Sequence, residues 1–313
     1  MSVPAKNRIV VVCGPTGSGK TGLAILLAQR FDGEIVGADS MQIYRYMDIG
    51  TAKPTPAEQA RATHHMIDIV DPDEDFDAAM YADAAGRAID AIVDRGRLPL
   101  VVGGTGFYIK ALVYGLFEQG PADAAIRQRL KQAVQSEGSA SLHRRLAALD
   151  SRAAARIHPN DAYRIVRALE VFEITGQPLS DFQRQHRFQD RRFDALFVGV
   201  TWPRPILYDR IDRRVDRMMD QGLEAEVSGL LSRGYGPQLK SMQSLGYRHL
   251  TAFIAGQTRL DEAVRTLKRD HRRYAKRQLT WFRADPAVHW MSPETPQEAV
   301  DRIGKFLTEK PSS

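Results

Sequence analysis

Residues Gly14-Pro15-Thr16-Gly17-Ser18-Gly19-Lys20-Thr21 satisfy every fixed position of the G-x-x-x-x-G-K-[ST] phosphate-binding loop. An apolar run, Ile9-Val10-Val11-Val12-Cys13, precedes them, and a helix-like stretch, Leu23-Ala24-Ile25-Leu26-Leu27-Ala28, follows. Strand, glycine-rich turn and helix start is the context in which this pattern works. The glycines let backbone N–H groups converge on an anion. The helix start adds the positive end of its dipole, and Lys20 adds a full charge. Thr21 offers a hydroxyl to a magnesium ion. The loop therefore predicts a diphosphate or triphosphate site; the alternative is a glycine turn without a ligand. The pattern leaves open what the phosphates are attached to.

The first hundred residues alternate strand and helix signals, as in a parallel α/β sheet. Glu34-Ile35-Val36-Gly37-Ala38 reads as a strand with Asp39 at its end. His64 to Val70 reads as another, residues 78–94 as a helix, and Leu98 to Val102 as a strand entering Gly103-Gly104-Thr105-Gly106. Ligands of such sheets gather at the C-terminal strand ends, which would bring the loop, Asp39 and Thr105 to one edge. From 117 to 192 the periodicity is helical, with Ala162, Ile165, Val166, Leu169 and Phe172 on one face. Residues 193–200 read as a strand again, so an all-helical domain at 117–192 is inserted into an α/β core formed by 1–116 and 193–313. Helices are predicted over about 206–233 and 261–283, and the tail from Lys310 to Ser313 is expected to fray.

The charge is unevenly placed. Residues 265–283 hold eight Lys and Arg against one acid, Asp270, an excess larger than the +6 of the whole 313-residue chain. Arg265, Arg269, Arg272 and Lys276 recur at three- and four-residue steps, which predicts a cationic helix face suited to a phosphate backbone. Trp281 and Phe282 follow, as base-stacking surfaces or as core. The single cysteine, Cys13, excludes an internal disulfide framework and a multi-cysteine zinc site. His64 and His65, adjacent in a strand, point to opposite faces and make a poor metal pair. No apolar run approaches the roughly 20 residues of a membrane span, and the N-terminus lacks a signal-peptide core. A cytoplasmic monomer without membrane attachment is expected.

Three positions leave two readings each. Asp39 is a general base or metal-orienting group, or else a turn or N-cap residue. Gly103 to Gly106 is a close-approach turn for a ligand, or only a tight turn. Its strand carries no acid where NTPases keep the magnesium-holding aspartate. Arg217, in Arg213-Arg214-Val215-Asp216-Arg217, is a diphosphate clamp or a solvated helix residue.

Taken together, these segments resemble the tRNA dimethylallyltransferase (tRNA isopentenyltransferase) family. Carrying the likeness are the loop, with Gly17 where the family usually has Ala; Asp39-Ser40-Met41-Gln42-Ile43-Tyr44; Lys53-Pro54-Thr55; and His64-His65-Met66-Ile67-Asp68. Gly103-Gly104-Thr105-Gly106-Phe107-Tyr108, with Phe107 where Leu is common, and Tyr274 to Arg283 complete it. The resemblance implies a P-loop NTPase-like fold and transfer of a dimethylallyl group from dimethylallyl diphosphate to N6 of the adenosine 3′ of the anticodon, in tRNAs reading codons that begin with U. It implies that Gly14 to Thr21 hold the donor diphosphate with Mg2+ at Thr21, that Asp39 is the base, and that Thr105 places the adenine. It further implies tRNA contacts from Asp39 to Gln42 (Ser40 and Met41 between them), Thr105, Arg127 and Tyr163-Arg164-Ile165-Val166-Arg167. Gln243-Ser244-Leu245-Gly246-Tyr247-Arg248 and Lys276-Arg277-Gln278-Leu279-Thr280-Trp281-Phe282-Arg283 are the remaining implied contacts. A small-molecule kinase and an adenine-nucleotide prenyltransferase are the alternatives.

Overall fold

Ile9 to Cys13 are all fully buried, as a strand covered on both faces requires. The computed structural model describes residues 6–116, 123–186 and 191–309, so the expected frayed tail lies outside the described residues. In chain order the elements begin with β1 (Arg8–Cys13), α1 (Lys20–Arg30), β2 (Gly33–Ala38), α2 (Pro56–Gln59), β3 (His64–His65), α3 (Ala78–Asp94), β4 (Leu98–Gly103) and α4 (Gly106–Tyr114). Five helices follow: α5 (Ala124–Glu137), α6 (Ser139–Leu149), α7 (Ser151–Ala154), α8 (Ala162–Thr175) and α9 (Leu179–His186). The chain then continues through β5 (Asp194–Val200), α10 (Arg204–Asp220), α11 (Leu223–Ser232), α12 (Tyr247–Ile254), α13 (Leu260–Arg283), β6 (Val288–Met291) and α14 (Pro296–Thr308).

The six strands are all parallel, in the order β3-β2-β4-β1-β5-β6. Two compact units result: Met1–Val113 with Arg192–Ser313, and Tyr114–Arg191. In the first, Val10, Val12, Ile35, Leu100 and Val198 pack beneath Leu23 and Leu27 of α1 and Ile303 of α14. Register pairs Cys13 with Gly103 and Gly103 with Ala38, so β1, β4 and β2 end level with one another.

The second unit is helical and has its own core of Leu130, Leu142, Leu146, Ile165, Val166 and Leu169. Ile165 and Val166 are therefore core side chains, spent on packing rather than presented at the surface. Helical spacing marks them as apolar-face residues, and burial follows. Glu170 is fully buried and accepts from both Arg127 and Arg167. Tyr163 is 82% exposed, and Arg164 is exposed beside Asp161.

Two expectations about elements change. The strand expected at 64–70 stops after His65, because Met66 and Asp68 take left-handed backbone angles (φ 64° and 54°). Residues 68–70 bond instead to the segment after Asp39, through Asp68 N–H to Gln42, Ile69 N–H to Ile43 and Arg45 N–H to Val70. The helix expected at 206–233 is two helices, divided where Gly222 turns left-handed at φ 96°. The short strand β6 adds an edge that its four residues signal weakly in sequence.

His65 Nε2 lies 2.6 Å from the buried Glu34 carboxylate, and His64 Nδ1 lies 2.7 Å from the Ala62 carbonyl. Burial raises the Glu34 pKa, but hydrogen bonds from Arg95, His65 and Arg97 outweigh it and hold the carboxyl at about 2. The level ends of β2 and β4 depend on a missing side chain. A Cβ on Gly103 would sit 2.0 Å from the Ala38 carbonyl oxygen. Gly103→Ala is expected to wedge the two strands apart and cost about 2 kcal/mol, read from urea unfolding.

Candidate active site at the C-terminal edge of the sheet

Three adjacent strand ends deliver three pieces of chemistry. β1 runs into the loop 14–19, β2 into Asp39, and β4 into Thr105. In the loop, Gly17 and Gly19 adopt φ of 80° and 96°, angles that side chains resist. A Cβ at Gly17 would also come 3.0 Å from Ile211, so the usual family alanine would be strained and tightly placed here. Ser18 is fully buried, and its hydroxyl has no hydrogen-bond partner. Lys20 curls back to donate to the carbonyls of Gly14 (3.0 Å) and Pro15 (2.7 Å). Burial, then the neighbouring Arg214 cation, push Lys20 down to about 8, against the pull of Asp39. Thr21 is the second residue of α1.

Of the α10 arginines, Arg210 touches the loop and Arg214 stands beside Lys20, whereas Arg217, the candidate from sequence, is exposed. Arg214 lies close enough to Lys20 to lower its pKa, and its own pKa is lowered chiefly by burial, against the pull of Asp39 and with a further push from Arg217. Its Nε is buried without a partner, and its Nη2 reaches the Thr51 carbonyl at 3.4 Å. Arg217 is exposed on the same helix. The buried stripe of α10, Leu207, Ile211, Val215 and Met218, turns Arg214 inward and Arg217 outward. That stripe was the available signal. Arg210, also unassigned from sequence, donates to the Gly17 carbonyl at 3.1 Å while lying over the Trp202 ring.

Asp39 is half-buried, and its Oδ1 accepts from the Met41 amide at 2.9 Å. Thr105 accepts from the Ser40 amide at 3.0 Å, and its own amide donates to the Ala38 carbonyl. The two strand ends are thus sewn together. Tyr274 of α13 lies beside the side chains of Thr105 and Gln278. Its hydroxyl is pushed up to about 12, first by burial and then by the Asp39 charge. Beyond Asp39, the segment 40–53 is framed by protein. Gln42 donates to the Thr51 and Ala52 carbonyls. The buried Lys53 ammonium holds Asp68, Asp48 and the Tyr44 carbonyl. Glu226 accepts from the amides of Asp48, Ile49 and Gly50 and from the Tyr247 hydroxyl.

This assigns the 243–248 segment unevenly. Tyr247 and Gly246 are buried, with Tyr247 spent on Glu226; Arg248 pairs with Asp270; and Ser244 and Leu245 are half-buried. Gln243 is exposed and donates to the Pro237 carbonyl. Cys13 is fully buried, and burial pushes its thiol up to about 12, which suits a core residue and not a nucleophile.

The second glycine turn admits a helix. A Cβ on Gly104 would lie 2.2 Å from Gln278 Nε2, and one on Gly106 would lie 2.2 Å from the Trp281 ring. Gln278 and Phe282 are buried, whereas Trp281 is 43% exposed. The cationic face of α13 is also different from its sequence pattern. Arg265 pairs with Glu262, Lys268 with Asp216, Arg269 and Arg273 with Asp270, and Arg272 with Asp212. Asp212 and Asp216 belong to α10, so a charge count along α13 misses them. Among the described residues, Lys276, Arg277 and Arg283 form no ion pair. Lys276 and Arg283, with Leu279 and Thr280, line a cavity of about 220 Å³ against Trp202, Arg204 and Tyr208; Arg277 lies over the Tyr274 ring.

Residues 42–285 match the family model described as IPP transferase. A tRNA dimethylallyltransferase of Desulfosudis oleivorans is 56% identical over 302 residues, covering 96% of both chains. One from Geobacter sulfurreducens is 55% identical, covering 97% of this chain and 98% of that protein. The crystal structure of a full-length tRNA isopentenylpyrophosphate transferase from Bacillus halodurans superposes with a TM-score of 0.72 at 42% identity, covering 96% of this chain and 97% of that one. A eukaryotic dimethylallyltransferase captured acting on tRNA superposes with a TM-score of 0.84 at 26% identity, covering 97% of this chain and 80% of its own. With a parallel sheet of P-loop NTPase type and likeness over nearly its full length, this chain belongs to the IPP transferase family, among proteins named tRNA dimethylallyltransferase.

Proposed function

We propose that this protein transfers a dimethylallyl group from dimethylallyl diphosphate to N6 of the adenosine 3′-adjacent to the anticodon in tRNAs reading UNN codons. The observation that carries the reading is the meeting of a phosphate loop, two inward cations and a carboxylate at three adjacent strand ends. Lys20, Arg214 and the loop amides face the diphosphate. Thr21, with diphosphate oxygens and waters, fits magnesium, which prefers few protein ligands. Bound there, the ion would neutralise part of the leaving group's charge.

The chemistry breaks the allylic C–O bond and forms N6–C. Negative charge grows on the departing diphosphate, and fixed cations stabilise it as it grows. The adenine amine is a weak nucleophile because its lone pair is delocalised into the ring. It gains from close positioning beside Thr105 and Ser40 and gives up its proton to the Asp39 carboxylate. The base must leave its stack to reach this edge. On the tRNA side, Lys276, Arg277 and Arg283 serve the phosphate backbone and Trp281 offers a stacking face. In the helical unit, Tyr163 and Arg164 are the exposed members of their segment, and Arg127 and Arg167 are held by Glu170.

Mass analysis of tRNA incubated with dimethylallyl diphosphate, magnesium and the protein tests the reading: the anticodon-loop fragment should gain one dimethylallyl group, and no gain refutes it. Asp39→Asn should slow turnover by about 100-fold or more while tRNA affinity stays within about twofold. Equal losses in both would make Asp39 a binding residue. Arg214→Gln should weaken donor binding by about tenfold or more, whereas Arg217→Gln should stay within about twofold, measured by equilibrium dialysis. Replacing Lys276, Arg277 and Arg283 with Ala should weaken tRNA binding and flatten its salt dependence by about one unit of slope per lost phosphate contact. The same treatment of Arg265 and Arg269, already paired with acids, should leave the slope close to wild type.

A further inference from the structure

Gln278 sits in the 276–283 segment, but its side chain faces inward and is 6% exposed. Its Oε1 accepts from the Thr16 amide at 2.8 Å, across 262 residues of sequence, and its Nε2 donates to the Gly104 carbonyl at 2.9 Å. The other side of the Pro15–Thr16 peptide, the Pro15 carbonyl, accepts from the Lys20 ammonium at 2.7 Å. One peptide plane is therefore held at both ends by side chains, with its N–H turned to α13 and its oxygen turned to Lys20. Pro15 has no N–H of its own, so this plane decides how the first half of the loop is presented. Substitution at Gly104 is blocked by the same contact, since a Cβ there would meet Gln278 Nε2 at 2.2 Å. The two bonds together fix the amide's orientation, since the oxygen needs a donor at Thr16 and the nitrogen an acceptor at Gly104.

We propose that Gln278 is a positioning residue of the donor site and not an RNA contact. It withholds the Thr16 amide from the ligand and fixes the Pro15–Thr16 plane, so that Lys20 and the amides that follow are arranged for a diphosphate before one arrives. This rests on the reading of residues 14–21 as the diphosphate site.

Gln278→Met keeps length and volume but neither hydrogen bond. In the full chain it should weaken binding of inorganic pyrophosphate by about tenfold, the scale of a lost buried hydrogen bond with its partners left unpaired. tRNA affinity should stay within about twofold. In donor-free wild type the Thr16 amide should be protected from hydrogen exchange, read by NMR, and the Met variant should lose that protection. A merely structural role would lower the melting temperature without this split between the two ligands. Free exchange of Thr16 in wild type, pyrophosphate affinity unchanged in a folded Met variant, or a loss confined to tRNA would each overturn the proposal. Should the Met variant not fold, Gln278→Glu keeps an acceptor for Thr16 and gives up the bond to Gly104. It should retain Thr16 protection, and loss of that protection would overturn the proposal. Failure of wild type to bind pyrophosphate would instead remove the reading of the loop, while the exchange measurement would still decide whether Gln278 orders it.

Discussion

The structure depends on the docking of α13 across the ends of β1 and β4. One face of this helix, Gln278, Tyr274 and Trp281, meets the phosphate loop, Thr105 and Gly106 in turn. Two polar strand ends buried side by side would otherwise leave the Thr16 amide and the Gly104 carbonyl unpaired, and an unmade buried hydrogen bond costs about 1–3 kcal/mol. The glycines at 104 and 106 are best understood from that side. They remove the atoms that would hold the helix off. The exposed face of the same helix carries the cations without acidic partners, so the groups suited to RNA and those that shape the anion cradle share one rigid element.

The fold was legible wherever a signal is local. The loop, its flanking strand and helix, and Asp39 at a strand end all follow from short-range pattern. What misled was information held elsewhere in the chain. Residues 64–70 have strand composition, but the Asp68 carboxylate is drawn to the Lys53 ammonium and the backbone pairs with 42–45, so the segment leaves the sheet. The stretch 206–233 has unbroken helical periodicity, and only the left-handed Gly222 shows where it divides.

Charge shows the same limit more sharply. Along α13 the sequence contains eight cations and one acid, yet Lys268 and Arg272 find their partners on α10 and Arg265 finds Glu262 just outside the window. A helix-face argument counts one helix, whereas the field is made by two. Arg214 and Arg217 differ by three residues, less than one helical turn, and both suit an anion. Only the Ile211–Val215 stripe decides that the first is enclosed and the second solvated. Gln278 is quieter still, a neutral residue in a basic run, and nothing short of the packed structure reveals that it reaches the loop.

The charges at the strand ends fit departure of a diphosphate better than hydrolysis of a nucleotide. β4 offers no carboxylate at its end, where NTPases keep one for the metal. Asp39 comes instead from β2, and its first hydrogen bond is to its own turn, at the Met41 amide. Burial raises the cost of charging Lys20, and the nearby Arg214 cation raises it further. An anion bound beside them relieves that cost, and more as its charge grows. A site built in this way favours a leaving group whose charge increases during the reaction. On the proposed reading Asp39 is left to take a proton from the incoming nucleophile, so that the two charge movements of a prenyl transfer are met by separate groups, Lys20 and Arg214 for the leaving group and Asp39 at the end of β2 for the proton.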